Sequence, residues 1–208
     1  MEIINDSLFK EMMLKYEFVK KRLETEIEIL LKSYEFKAGY NPVEHIKSRI
    51  KSFSSVISKL KSKKLDITVE NITRYVYDMV GIRIICSFVN EVYEIASVIR
   101  SANGFIIKKE IDYVKDPKKS GYRSYHMHVL VPIHLENITE YIEAEIQIRT
   151  VAMDCWASLD HKLRYKFIGE FPEKLNLEIA QSASDMMKID KKMQMIADKI
   201  YIMESDKR

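Results

Sequence analysis

The sequence predicts an α+β fold in which a mixed or antiparallel sheet of four to five strands is flanked by long helices at both ends of the chain. Apolar residues at the helical spacing of three and four occupy both ends of the sequence, whereas runs rich in β-branched residues occupy its middle. A doubly wound parallel fold would require strands and helices to alternate along the whole chain, and they do not. We therefore expect one central sheet with helices contributed by the two ends.

The elements before the first strand are expected to be helical. Residues 6–36 form a long amphipathic pattern that ends at Gly39. A second helix is expected after Pro42, because apolar residues recur at helical spacing at Ile46, Ile50, Phe53, Ile57 and Leu60. A short helix over residues 68–77 then leads into the first strand.

The middle of the chain is expected to supply the strands. The first is the run 78–88 (DMVGIRIICSF), followed by a helix that Asn90 caps and that runs to about Ala102, with Gly104 as its C-cap. Further strands are expected over 105–111, 124–131 and 144–150, with a Lys-rich loop at 112–123 and a turn at 132–139. Helical patterns over 151–167 and from Pro172 to about residue 205 complete the chain.

Composition limits the classes of function. The 208 residues are 47% hydrophobic and 31% charged, enough for one domain with a core, and the net charge is only +3. Basic residues nevertheless cluster at 47–64 and 108–123, which favours a compact polyanion over a long duplex as the ligand. No signal peptide or membrane span is evident, so we expect a cytoplasmic protein with no membrane partner. Cys86 and Cys155 are expected to be buried, reduced thiols.

Charged side chains in two of the predicted strands suggest a polar site. In the run 144–150 the period of two places Glu145, Gln147 and Arg149 on one face, although an ordinary half-solvated strand has the same pattern. Arg83 lies within the apolar run IRIIC, where a guanidinium must be paired or must bind an anion. Together with the carboxylate of Asp78, these residues suggest a site for phosphate and a divalent metal.

Familiar nucleotide-binding and hydrolytic motifs are missing. The five glycines fit neither the dinucleotide fingerprint nor the P-loop, so side chains would have to hold a triphosphate. The sequence also has no HExxH pattern and no serine-nucleophile motif. For His126 and His128, spacing alone favours a hydrogen-bonded structural role over catalysis.

Three ordered segments resemble the synthetase domain of the RelA/SpoT-homologue alarmone synthetases: DMVGIRIICSF, DYVKDPKKSGYRSYHMHV and AEIQIRTVAMDCWASLDHKLRYK. The resemblance implies a nucleotidyltransferase-like synthetase core at about 42–167 within a single domain, with helical extensions at 1–40 and 170–205. With its flanking helices and without hydrolase or regulatory domains, the chain resembles the small, stand-alone branch of the family.

The resemblance implies an activity and a metal. Members of the family transfer the β,γ-pyrophosphate of ATP to the 3′-hydroxyl of GDP or GTP with Mg²⁺ and release AMP. Asp78 would then be a magnesium ligand. Glu145 would be a second carboxylate that binds the metal or accepts the hydroxyl proton. These roles suit phosphoryl transfers, which depend on positioning and charge neutralisation.

The resemblance also assigns residues to the two nucleotides. Arg49 would stack on adenine, and the ATP phosphates would contact Lys51, Lys59 and Arg83. Tyr122 would stack on guanine, where an exposed loop aromatic is the alternative interpretation, and the remaining acceptor contacts would be Lys118, His126 and Gln147. Many small synthetases close the adenine site with an arginine at the position that is Ile111 here, so we expect a weaker adenine clamp unless Lys108 or Lys109 substitutes.

Two alternatives and an assembly state accompany this interpretation. The same chemistry on the single-stranded 3′ end of a tRNA would make RNA the acceptor, and a non-catalytic nucleotide- or RNA-binding relative would retain only the fold. The resemblance favours a homo-oligomer, with a tetramer as the expected state. We expect no activation by product, because the first half of the segment ETEIEILLKSYEFK is acidic where activated relatives are basic.

Overall fold

The computed structural model describes residues 6–135, 137–167, 169 and 171–205. The first five residues, part of the segment in which the sequence shows no signal peptide, lie outside this range. The elements in chain order are α1 (Asp6–Ala38), β1 (Val43–Ile50), α2 (Phe53–Ser62), α3 (Val69–Tyr75), β2 (Val80–Cys86), α4 (Val89–Arg100), β3 (Ile106–Asp112), β4 (Tyr125–Leu135), β5 (Ile138–Thr150), α5 (Val151–Lys166) and α6 (Glu173–Ser205). None of the described helices is long and apolar enough to cross a membrane.

The five strands form one mixed sheet in the order β1-β2-β5-β4-β3. Strands β2 and β5 run parallel, and every other neighbouring pair is antiparallel. The structure therefore confirms the predicted α+β class and the long terminal helices, and the sheet has five strands. The parallel pair matters for function, because it places Arg83 opposite Gln147 and Gly81 opposite Glu145.

The two faces of the sheet differ in polarity. Alternate residues of the central strands, including Ile82, Ile146 and Met127, are fully buried in the core together with Leu23 and Ile27 of α1. The intervening residues of β5, among them Glu145 and Gln147, point to the opposite face. The core therefore holds one face of the sheet and leaves the other for a polar site.

The predicted helix after Pro42 is wrong in its first half. Residues Val43–Ile50 form β1, which pairs antiparallel with β2 and places Arg49 opposite Gly81. The spacing of four between Ile46 and Ile50 suits both a helix and a strand, since four is also a multiple of the strand period. Helix α2 begins only at Phe53, where the Ser52 hydroxyl caps it by accepting the Ser55 N–H.

The turn predicted at 132–139 is shorter than expected, because β4 continues to Leu135 and β5 begins at Ile138, where the two residues still pair. Pro132 lacks an amide proton and usually marks a strand edge. It is tolerated here because β3 pairs with β4 only up to Leu130, so β4 has a free side beyond that residue. The hairpin is longer than the sequence suggested.

Smaller corrections concern α4 and the cysteines. Helix α4 begins after Phe88, whose N–H donates to the Glu91 carboxylate at 2.8 Å, so Asn90 lies inside the first turn instead of capping it. The helix ends at Arg100, four residues before the predicted cap at Gly104. Cys86 is buried as expected, whereas Cys155 is exposed.

Candidate active site

A cavity of about 260 Å³ lies on the polar face of the sheet where β1, β2 and β5 run side by side. Its lining includes both carboxylates that the sequence singled out, Asp78 and Glu145. The other residues around it are Lys47, Ser48, Arg49, Gly81, Ile82, Arg83 and Gln147. Strand pairing explains the meeting, because the turn before β2 and the middle of β5 come together only when those strands are neighbours.

Asp78 sits between two lysines at one end of this cavity. Its Oδ2 is 2.6 Å from Nζ of Lys51 and its Oδ1 is 2.7 Å from Nζ of Lys59. Burial by itself raises the pKa of Asp78, but the hydrogen bonds and charges of the two lysines outweigh it, so the net pKa lies below its usual value. The carboxylate is therefore ionised at neutral pH.

A second cavity, of about 540 Å³, adjoins the same three side chains. Its remaining lining consists of hydroxyl groups from the first two turns of α2: Ser54, Ser55 and Ser58. Lysines and hydroxyls are common donors to phosphate oxygens. The two cavities share Asp78, which lines both of them.

Glu145 is held by its two neighbours on the sheet. Its Oε1 is 2.9 Å from Nδ1 of His126, and its Oε2 accepts a hydrogen bond from Nε2 of Gln147 at 2.5 Å. Burial and the charge of Asp78 raise the pKa of Glu145, but His126 and Gln147 more than offset them and the net pKa is lowered. The charge of Asp78 therefore acts on Glu145, and both carboxylates line the same cavity.

Tyr122 is half-buried and anchored at its hydroxyl, so it is not a simple exposed loop aromatic. Nη2 of Arg149 donates to this hydroxyl at 2.7 Å, and Nε2 of His126 lies 2.8 Å from it. Because Arg149 can only donate, the hydroxyl proton goes to Nε2 of His126, and Nδ1 of His126 then donates to Glu145. The centre of the Tyr122 ring also lies 4.9 Å from Nζ of Lys118.

The sequence interpretation missed Asp154. The sequence places Asp78 near Arg83 and Glu145 near Arg149. In the structure both arginines pair instead with Asp154, and Nη1 of each lies 3.0 Å from its Oδ1. The available signal was an acidic residue in the first turn of α5, which a favourable interaction with the helix dipole explains equally well. Only the packing of α5 against β2 and β5 brings Asp154 to both arginines.

Helix α6 supports the loop that carries Tyr122. Asp190 accepts a hydrogen bond from the Thr150 hydroxyl at 2.9 Å and lies 3.5 Å from Nη1 of Arg123. All three side chains are buried. Gly121 has a φ of +89°, and a Cβ there would lie 2.3 Å from Cβ of Ala183 on α6. The backbone of this loop is therefore in direct contact with the helix.

This contact predicts that Gly121→Ala lowers the free energy of unfolding by about 2–4 kcal/mol, the sum of positive-φ strain and overpacking. The matched control is Gly39→Ala, because Gly39 also has a positive φ of +75°, but apart from its chain neighbours no described residue comes within 4 Å of the position that an added methyl group would occupy. We expect the control to cost only about 1 kcal/mol. Urea denaturation measures both. Adding Ala183→Gly should recover the overpacking part, and an equal loss in the two single variants would contradict the prediction.

The predicted adenine clamp at position 111 is wrong. Ile111 lies on β3 opposite His126, and β3 is at the other edge of the sheet from β1, which carries Arg49. Four strand spacings of about 4.8 Å separate these edges by about 19 Å, too far for one ring to contact both. Lys108 cannot substitute from the same edge, where it pairs with Glu143 at 2.8 Å. Ile111 therefore has no bearing on a ligand stacked on Arg49.

The two carboxylates suit a magnesium ion whose remaining ligands are phosphate oxygens and water. In the described part of the chain no three His, Cys, Asp or Glu side chains form a group that could hold a metal alone. Mg²⁺ prefers hard oxygen ligands and commonly takes only one or two carboxylates, with phosphates and water completing its shell. Asp78 and Glu145, lining one cavity, supply that number of carboxylates.

Comparison with known proteins identifies the family of the chain. Residues 48–170 match the family model described as a region found in RelA / SpoT proteins. The GTP pyrophosphokinase YwaC of Bacillus subtilis is 41% identical over 185 residues, which are 89% of this chain and 88% of that protein.

Two solved structures from Bacillus subtilis also superpose on most of the chain. Small alarmone synthetase 1, bound to its product pppGpp, has a TM-score of 0.85 and 29% identity and covers 94% of this chain and 99% of its own. Small alarmone synthetase 2 has a TM-score of 0.81 and 39% identity, with coverages of 92% and 98%.

Proposed function

The chain belongs to the RelA/SpoT family and is a GTP pyrophosphokinase, and we propose that it moves the β,γ-pyrophosphate of ATP to the 3′-hydroxyl of GDP or GTP across Asp78 and Glu145. The observation that carries this proposal is the shared cavity of the two carboxylates. Basic side chains line this cavity, and the ring of Tyr122 is connected to Glu145 through His126. The product, a guanosine nucleotide with a 3′-pyrophosphate, is an alarmone of the stringent response.

We propose that ATP occupies the basic side. Arg49 and Arg83 line the first cavity, and Lys51 and Lys59 line the second one, on the other side of Asp78. Four cations around one carboxylate can neutralise a triphosphate without a glycine-rich loop. Arg49, the exposed guanidinium on β1, would stack on the adenine, since a planar guanidinium packs well against an aromatic ring.

We propose that the guanosine nucleotide occupies the side of Tyr122. The hydroxyl of this residue is held by Arg149 and His126, which sets the plane of the ring before any ligand arrives. Lys118 lies within 5 Å of the ring centre and would contact the acceptor phosphates. Gln147 lines the cavity between the two sides and would contact the guanosine.

The proposed reaction is an in-line displacement at the β-phosphorus of ATP. The 3′-oxygen of the acceptor forms a bond to that phosphorus while the bond to the α,β-bridging oxygen breaks, and AMP leaves with that electron pair. Glu145, ionised because its pKa is lowered, accepts the 3′-hydroxyl proton. His126 keeps the carboxylate oriented from the far side through its Nδ1–H.

Magnesium is the proposed cofactor, held by Asp78 and Glu145. When bound, it would neutralise charge on the moving phosphates. For this to occur Lys51 and Lys59 must transfer their contacts from Asp78 to phosphate oxygens. Their flexible side chains and the adjoining open cavity allow that exchange.

The test is one incubation with ATP labelled at the γ-phosphate, magnesium, and GDP or GTP. We expect AMP and a labelled guanosine nucleotide in equal amounts, and no turnover when EDTA is added. Parallel reactions replace the guanosine nucleotide with tRNA. Absence of AMP would contradict the proposal, and label on RNA alone would favour the tRNA acceptor.

We further propose that the chain forms a homo-oligomer, with the tetramer as its expected state. We also propose that the protein is cytoplasmic and that its synthetase core spans 42–167. Support for the homo-oligomer comes from large apolar side chains of α6 that are exposed in the described structure: Leu177, Ile189, Met193, Met195, Ile196, Ile200 and Ile202. Light scattering tests the assembly. A mass of 24.5 kDa, that of one chain, would contradict it.

A further inference from the structure

We propose that Asp154 is a positioning residue that couples the ATP site to the guanosine-nucleotide site. This inference rests on the proposed function, because it takes Arg83 as an ATP contact and Tyr122 as the guanine platform. Asp154 itself does not line the cavity. It acts through the two arginines that it holds.

The geometry of Asp154 is that of a shared acceptor. One oxygen, Oδ1, lies 3.0 Å from Nη1 of Arg83 and 3.0 Å from Nη1 of Arg149. Its side chain is only 14% exposed. A single negative charge therefore stands between two guanidinium groups in a poorly solvated place, where charge interactions are strong. If one arginine moves away from Oδ1, the carboxylate interacts more strongly with the other arginine.

The two arginines are not equivalent. Arg149 is buried, and its other donors are used by neighbouring groups: Nε by the Ser124 hydroxyl at 3.4 Å, and Nη2 by Gln147 and Tyr122, each at 2.7 Å. These hydrogen bonds hold Arg149 in one position beside the site. Its hydrogen bond to Tyr122 connects it directly to the guanine platform.

Arg83, in contrast, has hydrogen-bonding capacity to spare. Its Nε is buried and has no hydrogen-bond partner among the described residues, and the side chain lines the cavity. An unsatisfied buried N–H is costly, so it favours an incoming acceptor such as a phosphate oxygen. Burial and the charge of Arg149 lower the pKa of Arg83, and Asp154 opposes this effect. A phosphate bound to Arg83 would offset both unfavourable contributions.

These contacts form one continuous chain. It runs from Arg83 through Asp154 to Arg149, then to the hydroxyl of Tyr122, and ends through His126 at Glu145. A phosphate that draws Arg83 toward the cavity leaves Asp154 to Arg149 and tightens the hold on Tyr122. By thermodynamic linkage, a guanosine nucleotide on Tyr122 must favour ATP by the same factor.

The experiment measures GDP binding by calorimetry with and without α,β-methylene-ATP and magnesium. We expect the analogue to raise GDP affinity about tenfold in the unaltered protein, within the usual range of coupling. Asp154→Asn keeps the shape but removes the charge, and should reduce the factor to below about twofold while each nucleotide still binds alone. Asp154→Glu should restore most of it. The matched control is Asp160→Asn on the same helix, which should leave the factor unchanged because Asp160 forms its ion pair with Arg164, one turn further along that helix.

The outcomes separate this inference from the proposed function. Binding of both nucleotides without coupling, or full coupling in Asp154→Asn, overturns the inference and leaves the function standing. Binding of neither nucleotide to the unaltered protein overturns both. A merely structural role would lower the melting temperature without changing the coupling factor. Asp154→Ser is the second uncharged variant in case the asparagine variant does not fold. Full coupling in Asp154→Ser would also overturn the inference.

Discussion

Asp78→Asn is expected to lower kcat by about 10³-fold or more, a loss of about 4 kcal/mol in transition-state stabilisation, while leaving ATP binding intact. The variant removes the proposed magnesium ligand but keeps the size of the side chain. It also frees Lys51 and Lys59, which now lie 2.6 and 2.7 Å from the carboxylate, to contact phosphates. Binding should therefore be as tight as before or tighter, and only the chemical step should fail.

Single-turnover formation of AMP measures the chemical step, and calorimetry with α,β-methylene-ATP measures binding. The control is Asp66→Asn, which changes an exposed carboxylate in the loop between α2 and α3 and should retain full activity. Turnover of Asp78→Asn within tenfold of the unaltered protein would remove Asp78 from the proposed site. Loss of ATP binding together with turnover would indicate a binding role in place of a metal role.

The effect of Asp78→Asn on the free energy of unfolding should depend on pH. The pKa of Asp78 in the folded protein lies below its usual value of 3.8, so the carboxylate contributes stability above that pH. The contribution is lost as pH falls through the lowered pKa. The difference in free energy of unfolding between the unaltered protein and Asp78→Asn should thus be constant from pH 5 to 7 and should shrink below about pH 4. Urea denaturation at each pH measures it, and a difference that grows in acid would contradict the assignment.

Glu145→Gln is expected to lower kcat/KM by about 10²–10⁴-fold, the usual contribution of a positioned general base. An amide cannot accept the 3′-hydroxyl proton, and it is a weak ligand for magnesium. The amide would also place an N–H group against the Nε2 donor of Gln147, which now bonds Glu145 at 2.5 Å. We therefore expect a further loss of about 1 kcal/mol in the free energy of unfolding.

The matched control for this prediction is Glu143→Gln. Glu143 lies two residues earlier on the same strand and the same face, but its neighbours are Lys108 at 2.8 Å and Nδ1 of His128 at 3.5 Å, and it does not line the cavity. Activity of the control should stay within about threefold of the unaltered protein, because the pair with the exposed Lys108 contributes little and the amide oxygen of glutamine can still accept a hydrogen bond from His128. Equal losses in the two variants would show that the effect belongs to the strand and not to the position of one carboxylate.

Local patterns were sufficient for much of the fold. Helices α1, α5 and α6 and strand β5 could be predicted because their apolar periodicities are long or strict, and long periodic segments specify their own conformation. Strand β1 could not, because an apolar spacing of four residues suits both conformations and only pairing with β2 selects the strand. The extension of the β4–β5 hairpin through Pro132 depended in the same way on where β3 ends.

For the site, the sequence by itself determined which side chains were out of place: a carboxylate and an arginine near each of two apolar strands, Asp78 with Arg83 and Glu145 with Arg149. A charge in an apolar strand is costly unless it is paired, so Arg83 within IRIIC required a partner or an anion, whereas the pattern of β5 also suited a half-solvated strand. Only the tertiary structure decided their partners. The parallel pairing of β2 with β5 brings the two carboxylates to one cavity, and α5 adds Asp154 between the arginines. Sheet order likewise separates Ile111 from Arg49, because the distance across a sheet depends on which strands are neighbours and not on their order along the chain.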